Sequence, residues 1–311
     1  MAVSAQNLSL LKLSMVQVDV FTDRALAGNS LAVFLDGRGL TSEQMQDLAR
    51  ETNLSETTFI LPGDDAVEKE RGVRVRIFTV QEELPFAGHP TLGTAFVMRN
   101  RATPAVPAEV RLDLKVGRVP VRFTEEPGRA VFGEMTQREP EFGAVHQVAD
   151  IARLTNLTVA DFDDCAPIQT VSTGMPFTMV PLRTLAAIGK LRLDLDRAGE
   201  YLASNGGKFL YFVCRETVDR KARLHARMIF YNGDDPATGS AAGCCAAWMV
   251  AHGLAASEEQ VLIEQGLEMH RPSSIFVRAT KRGGAQDNQI VNVRVGGNCV
   301  EVLRGEVTIA V

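Results

Sequence analysis

Apolar and polar residues alternate along much of this chain, and turn residues punctuate the runs. Val16-Gln17-Val18-Asp19-Val20-Phe21 is the first such run, followed by 30–35, 57–61 and 73–78; the two-residue period predicts a strand in each. The second half repeats the mixture, with strands predicted over 209–213 and 227–231 and hairpin-like strands from 275 onward. Thr41-Ser42-Glu43-Gln44 has capping-box spacing: Thr41 can cap the first free amides and Gln44 can reach back, so a helix is expected from there to about residue 51. A second helix is expected near 147–154. Residues 282–288, with Gly283-Gly284, read as a loop, and 125–140, with prolines, glycines and several charges, reads as the junction between two domains.

One pattern recurs. His89-Pro90-Thr91-Leu92-Gly93-Thr94-Ala95 and Asp235-Pro236-Ala237-Thr238-Gly239-Ser240-Ala241 share proline, glycine, a hydroxyl residue and alanine at the same offsets. Each copy follows a predicted strand and precedes a small-residue apolar helix, which suggests a duplicated domain. Proline suits a first helical turn, and the free N–H groups there present positive partial charge to an anion. Gly93 and Gly239 would let a ligand approach the backbone, and Thr94 and Ser240 would add hydroxyl donors. Two such elements facing one another would make an anion-binding cleft between domains. A plainer account of either copy alone is a helix start, with His89 or Asp235 as its cap and the glycine there for packing; the duplication at matched offsets favours the ligand.

Composition narrows the class. The 311 residues, 45% hydrophobic and 23% charged, can bury one large core or two smaller ones. A formal charge of -5 leaves no excess of cations for a phosphate backbone, so no nucleic-acid partner is expected. Five cysteines, Cys165, Cys214, Cys244, Cys245 and Cys299, form an odd set without CxxC spacing. They read neither as a disulfide framework nor as a zinc site, and a reducing, cytoplasmic setting is expected. Residues 1–13 lack the pattern of a signal peptide, and the most apolar stretch, 239–256, is rich in alanine and glycine and suits a buried helix better than a membrane span. A soluble protein with no membrane partner is expected. Gly206-Gly207-Lys208-Phe209 lacks the rest of a P-loop and no GxGxxG follows a strand, so no nucleotide cofactor is implied. His146, His225 and His252 stand without a metal-spacing partner and read as surface or core residues, so no metal is expected.

Phe78-Thr79 with Glu83-Leu84-Pro85-Phe86-Ala87-Gly88-His89-Pro90-Thr91-Leu92-Gly93-Thr94-Ala95 resembles the first signature of the phenazine-biosynthesis PhzF-like family, and Asp234-Asp235-Pro236-Ala237-Thr238-Gly239-Ser240-Ala241 resembles the second. Further matches run in order along nearly the whole chain: Val18-Asp19-Val20-Phe21, Ala27-Gly28-Asn29, Asn53-Leu54-Ser55-Glu56-Thr57, Ser172-Thr173-Gly174, Gln265-Gly266 and Arg271-Pro272-Ser273. The resemblance implies an α+β, diaminopimelate-epimerase-like fold of two pseudo-symmetric domains, each a curved antiparallel sheet or barrel around a central helix. The last strand would return to the first domain, giving 1–128 plus 296–311 and 129–295.

The same resemblance implies a cofactor-independent isomerase, similar to the dihydro-3-hydroxyanthranilate isomerase of phenazine synthesis, acting on a small carboxylate; a homodimer is implied by resemblance alone. Glu56 matches the family's acid/base carboxylate, and a carbon acid needs such a group: a carboxyl whose pKa is raised by burial can accept a proton and return it. His89 and Asp235 would polarise and orient the substrate. Gly88, Gly239 and Ser240 would cradle its carboxylate, with Ser55 beside them. The two opposed thiols used by racemases of this fold have no counterpart, since Ala87 and Asp235 offer none, and Cys244 and Cys245 read as core. Where the family often has proline, glutamate and a small residue, this chain has Ser30, Asp234 and His270; a His270 facing the cleft would favour a smaller or differently charged substrate. Two rivals stay open: a thiol-free epimerase or dehydratase of an amino or hydroxy acid, and a binding protein with the cleft but no chemistry.

Overall fold

The computed structural model describes residues 10–102, 105–128, 130–231, 233–283 and 289–310. Residues 1–9, in the stretch examined for a leader, and 284–288 of the expected loop lie outside the described residues. The first half runs β1 (Leu10–Val20), β2 (Asn29–Phe34), α1 (Ser42–Thr52), β3 (Glu56–Leu61), α2 (Asp65–Arg71), β4 (Val73–Phe78), β5 (Glu83–Leu84), α3 (Gly88–Arg101), β6 (Glu109–Leu114), β7 (Gly117–Thr124) and β8 (Phe132–Thr136). The second runs β9 (Glu141–Val145), α4 (Val148–Ala152), β10 (Gln169–Ser172), β11 (Pro176–Leu182), α5 (Leu185–Lys190), α6 (Leu195–Ser204), β12 (Phe209–Cys214), β13 (Leu224–Arg227), β14 (Ile229–Phe230), β15 (Gly233–Asp234), α7 (Gly239–Ala251), β16 (Val261–Gln265), β17 (Ser273–Arg282) and β18 (Gln289–Ala310).

Strand directions repeat between the halves, so the fold is α+β with two pseudo-symmetric lobes. From β1 outward the pairings are antiparallel to β2, parallel to β3, antiparallel to β4, parallel to β6, then antiparallel to β7 and β8. From β10 the same order of directions passes through β11, β12, β13, β16, β17 and β18. The halves also exchange strands: the chain runs from β8 into β9, which lies beside β10, and β18 crosses from β17 to β1. Between the lobes β8 pairs with the middle of β18.

The sheets are therefore mixed rather than wholly antiparallel. A parallel neighbour needs a crossover connection, usually a helix. Here α1 joins β2 to β3, α3 joins β4 to β6, α5 and α6 join β11 to β12, and α7 lies between β13 and β16. The crossovers α3 and α7 are the central helices, buried on almost every face, with Leu92 and Trp248 wholly enclosed. An amphipathic stripe is absent from both because a sheet surrounds each helix.

Local signals from the sequence hold where they are strongest. Thr41 accepts the Gln44 N–H at 3.1 Å and the Gln44 side chain accepts the Thr41 N–H at 2.9 Å, closing the capping box. The expected strand over 227–231 is instead split at Met228, whose carbonyl accepts the Asp235 N–H at 2.9 Å. The expected junction at 125–140 contains β8. Among the described residues no helix is long and apolar enough to cross a membrane.

Candidate active site

Three turns deliver the ionisable groups to one point between the lobes. Helix α1 ends on Asn53, which takes a left-handed conformation at φ 50° and donates its N–H to Ala49 O. That turn sets Ser55 and Glu56 at the head of β3, with Glu56 opposite Leu31 of β2. His89 is the second residue of α3, and Asp235 lies in the turn ahead of α7. Glu56 is 7% exposed, His89 2% and Asp235 6%, so the cluster is nearly closed to solvent.

The Glu56 Oε2 atom lies 3.4 Å from His89 Nδ1, yet neither Oε2 nor His89 Nε2 has a hydrogen-bond partner among the described residues. Asp235 is treated differently. Its Oδ1 accepts from Asn29 Nδ2 at 2.8 Å, its Oδ2 accepts from the Thr238 hydroxyl at 2.5 Å, and the Ser55 hydroxyl also bonds to it. Asn29 Nδ2 reaches His89 Nδ1 at 3.2 Å and the Ala237 carbonyl at 2.9 Å, so one amide of the first lobe ties both halves of the site.

Electrostatics follow from burial. Desolvation pushes the Glu56 carboxyl well above the usual carboxylate range, and the nearby Asp235 charge adds to it. Asp235 is lifted by burial to about 6, with the donors from Thr238, Ser55 and Asn29 pulling the other way. Burial lowers His89 to about 3, so its ring is neutral. The site at neutral pH thus holds a neutral imidazole beside two carboxyl groups, the better solvated by donors being Asp235.

The helix starts differ from expectation. Neither His89 nor Asp235 caps a helix: the caps are Ala87 and Thr238, and Pro236 lies ahead of α7 rather than in its first turn. The two starts touch directly, since a Cβ on Gly88 would lie 2.4 Å from Gly239 C and Ser240 N. Only glycine fits there. Gly93 does not face a ligand, because a Cβ there would meet Leu31 and Val20 at 2.7 Å. Thr94 is likewise spent in the core, its hydroxyl 2.8 Å from that of Thr58. Ser240 and Gly239 stay at the site, and Gly239 packs on the Phe21 ring.

Other candidates fall elsewhere. His270 is exposed and in a left-handed conformation, so it does not line the buried cluster. Lys208 pairs with Glu82 across the lobes at 2.7 Å. Cys244 and Cys245 are enclosed in α7, and burial raises Cys244 to about 11, far from a thiolate. His225, isolated in sequence, sits between Glu264 at 2.9 Å and Glu268 at 2.8 Å. Sequence reasoning passed over Asn29 and Gln265 as site residues, although both lie in motifs already matched.

A pseudo-symmetric α+β fold that closes two lobes on a buried glutamate, histidine and aspartate has the architecture of the epimerase-like class, and the relatives of this chain are named as isomerases. The chain belongs to the phenazine biosynthesis-like protein family, whose model matches residues 18–305. It is 37% identical to an uncharacterized isomerase of Mesorhizobium japonicum, covering 94% of this chain and 97% of that protein. It is 32% identical to the trans-2,3-dihydro-3-hydroxyanthranilate isomerase of Pseudomonas chlororaphis, covering 94% and 99%. The crystal structure of a Bacillus anthracis phenazine biosynthesis protein of the PhzF family superposes with a TM-score of 0.83 at 27% identity, covering 96% of this chain and all of that one.

Proposed function

We propose that this isomerase moves a proton between two carbons of a small cyclic, amino or hydroxy carboxylate, with Glu56 taking the proton from one carbon and returning it to the other. The observation that carries the reading is the Glu56 Oε2 atom, buried and without a hydrogen-bond partner beside a neutral His89. An unsatisfied buried carboxylate oxygen costs stability, and a structural role gives no reason to keep it. A carboxyl with raised proton affinity is a competent base for a carbon acid and a competent acid afterwards.

In this reading the C–H electron pair passes into the substrate's conjugated system as the proton goes to Oε2, and the proton held there, exchanged only in part with solvent, then adds at the second carbon. His89 and Asp235 orient the substrate, and amides at the starts of α3 and α7, around Gly88, Gly239 and Ser240, hold its carboxylate. Parting of the lobes admits substrate, and their closure keeps water from the carbanion-like species. Glu56 carries the proton itself, so the reading calls on no cofactor. Five free cysteines support a cytoplasmic setting.

The test is incubation of wild type and Glu56→Gln with trans-2,3-dihydro-3-hydroxyanthranilate in deuterated water, followed by NMR. Isomerization with deuterium uptake that vanishes in Glu56→Gln supports the reading. Turnover that survives in Glu56→Gln overturns the role of Glu56, and absence of wild-type turnover removes this substrate.

A further inference from the structure

Behind the Asp235 turn lies a buried amide with all its hydrogen-bonding capacity in use. Gln265, the last residue of β16, is wholly enclosed. Its Oε1 accepts the Thr238 N–H at 3.2 Å and the Tyr211 hydroxyl at 3.0 Å, while its Nε2 donates to the Asp235 carbonyl at 2.7 Å and to Thr238 Oγ1 at 2.9 Å. A backbone N–H can only donate and a backbone carbonyl can only accept, so these two groups fix which end of the amide is which. Thr238 Oγ1 therefore receives a hydrogen from Gln265, and its own single proton is left to point at Asp235 Oδ2, 2.5 Å away. A hydroxyl directed this way stabilises the carboxylate and not the acid.

The backbone around Gln265 is shaped to bring it there. Gly266 has φ +80°, and a Cβ on it would lie 2.5 Å from Pro236 O. Ser273 Oγ donates to that same carbonyl at 2.8 Å. Resting on the reading of Glu56 given above, we propose that Gln265 is a positioning residue: through Thr238 it holds Asp235 as a carboxylate, so that Glu56 is the member of the pair that takes up and returns the substrate proton. The titratable and charged groups facing Asp235 are Glu56 from β3, His89 from α3, Tyr211 from β12, and Asp234 on its own turn, itself held by Arg227 at 2.7 Å. His89 is neutral and the Asp234 charge works against ionisation of Asp235, so neither of them holds Asp235 ionised.

The experiment is infrared titration of the buried carboxyl groups without substrate, with the Asp235 band assigned by subtraction of Asp235→Asn. Wild-type Asp235 should titrate near pH 6. Removing the donor in Thr238→Val, which keeps the shape, or its director in Gln265→Leu, raises the midpoint by about one pH unit, and Thr238→Ser restores it. An unmoved midpoint in cooperatively folded Thr238→Val or Gln265→Leu overturns the proposal, as does an equal shift in Thr238→Ser. With trans-2,3-dihydro-3-hydroxyanthranilate as substrate, the acid limb of kcat/KM moves with the titration. If wild type does not turn that compound over, the proposed substrate fails while the titration still decides the role of Gln265.

Discussion

The two copies of the repeated element share proline, glycine, a hydroxyl residue and alanine at matched offsets and differ in where their helices begin. Helix α3 starts at Gly88, ahead of His89-Pro90, whereas α7 starts only at Gly239, after Asp235-Pro236-Ala237-Thr238. The difference lies in where the backbone groups are spent. In the first copy they turn inward, with both the N–H and the hydroxyl of Thr91 bonded to Ala87 O at 3.3 and 2.7 Å. In the second they are claimed from outside: Gln265 takes Asp235 O and Thr238 N, Ser273 takes Pro236 O, and Asn29 takes Ala237 O. With these groups bonded outside the segment, α7 begins only at Gly239. A symmetric scaffold thereby offers two unlike groups, a neutral imidazole with an unpartnered nitrogen and a carboxylate surrounded by donors.

The contrast can be broken first at Glu56, which lies beside His89 and feels the Asp235 charge. Glu56→Gln should lower kcat by about 10³-fold with KM little changed, the loss expected of a general acid and base; steady-state kinetics checks it. Next come the two unlike groups. His89→Asn and Asp235→Asn should each cost about 10²-fold in kcat/KM, but only one of them should alter the pH profile. In wild type and His89→Asn, kcat/KM should fall about tenfold per pH unit below the Asp235 value of about 6. In Asp235→Asn that limb should move to lower pH and belong to Glu56 alone, since burial still raises Glu56 but the Asp235 charge no longer does. His89, near 3, contributes no limb between pH 5 and 8.

A smaller effect concerns stability. The folded pKa of Glu56 is raised above 4.5, so the native state keeps a proton that the unfolded chain releases, and stability is lost as pH climbs from 4.5 through the raised value. Glu56→Gln removes that loss. Urea denaturation should show the variant and wild type nearly equal at pH 4 and the variant more stable at pH 8. Smallest is Thr94→Val: losing the buried bond to Thr58 should cost about 1 kcal/mol of folding stability and leave kcat unchanged.

Much of this was legible in the chain. Alternation located β1 to β4, the capping box located α1, and the repeat announced the duplication. Matching of motifs also drew Glu56, His89 and Asp235 together, and the structure sets them in one buried cluster. The parallel pairings were not legible, because a two-residue period says which face a residue takes and not which neighbour its strand chooses. The staggered helix starts were hidden for a related reason: the partners bonded to the second copy lie 27 or more residues away in sequence, at Asn29, Gln265 and Ser273. His225 teaches the same lesson, since Glu264 and Glu268 reach it only through the pairing of β13 with β16.

On the proposed reading, one buried carboxyl carries the proton between two carbons. Its most direct test is turnover, in ordinary water, of trans-2,3-dihydro-3-hydroxyanthranilate labelled with deuterium at the carbon that loses the proton. With Glu56 enclosed, part of the label should reappear at the carbon that gains one, and single-turnover conditions should show the largest share. Product whose new hydrogen comes wholly from solvent under those conditions would contradict a single shielded carboxyl.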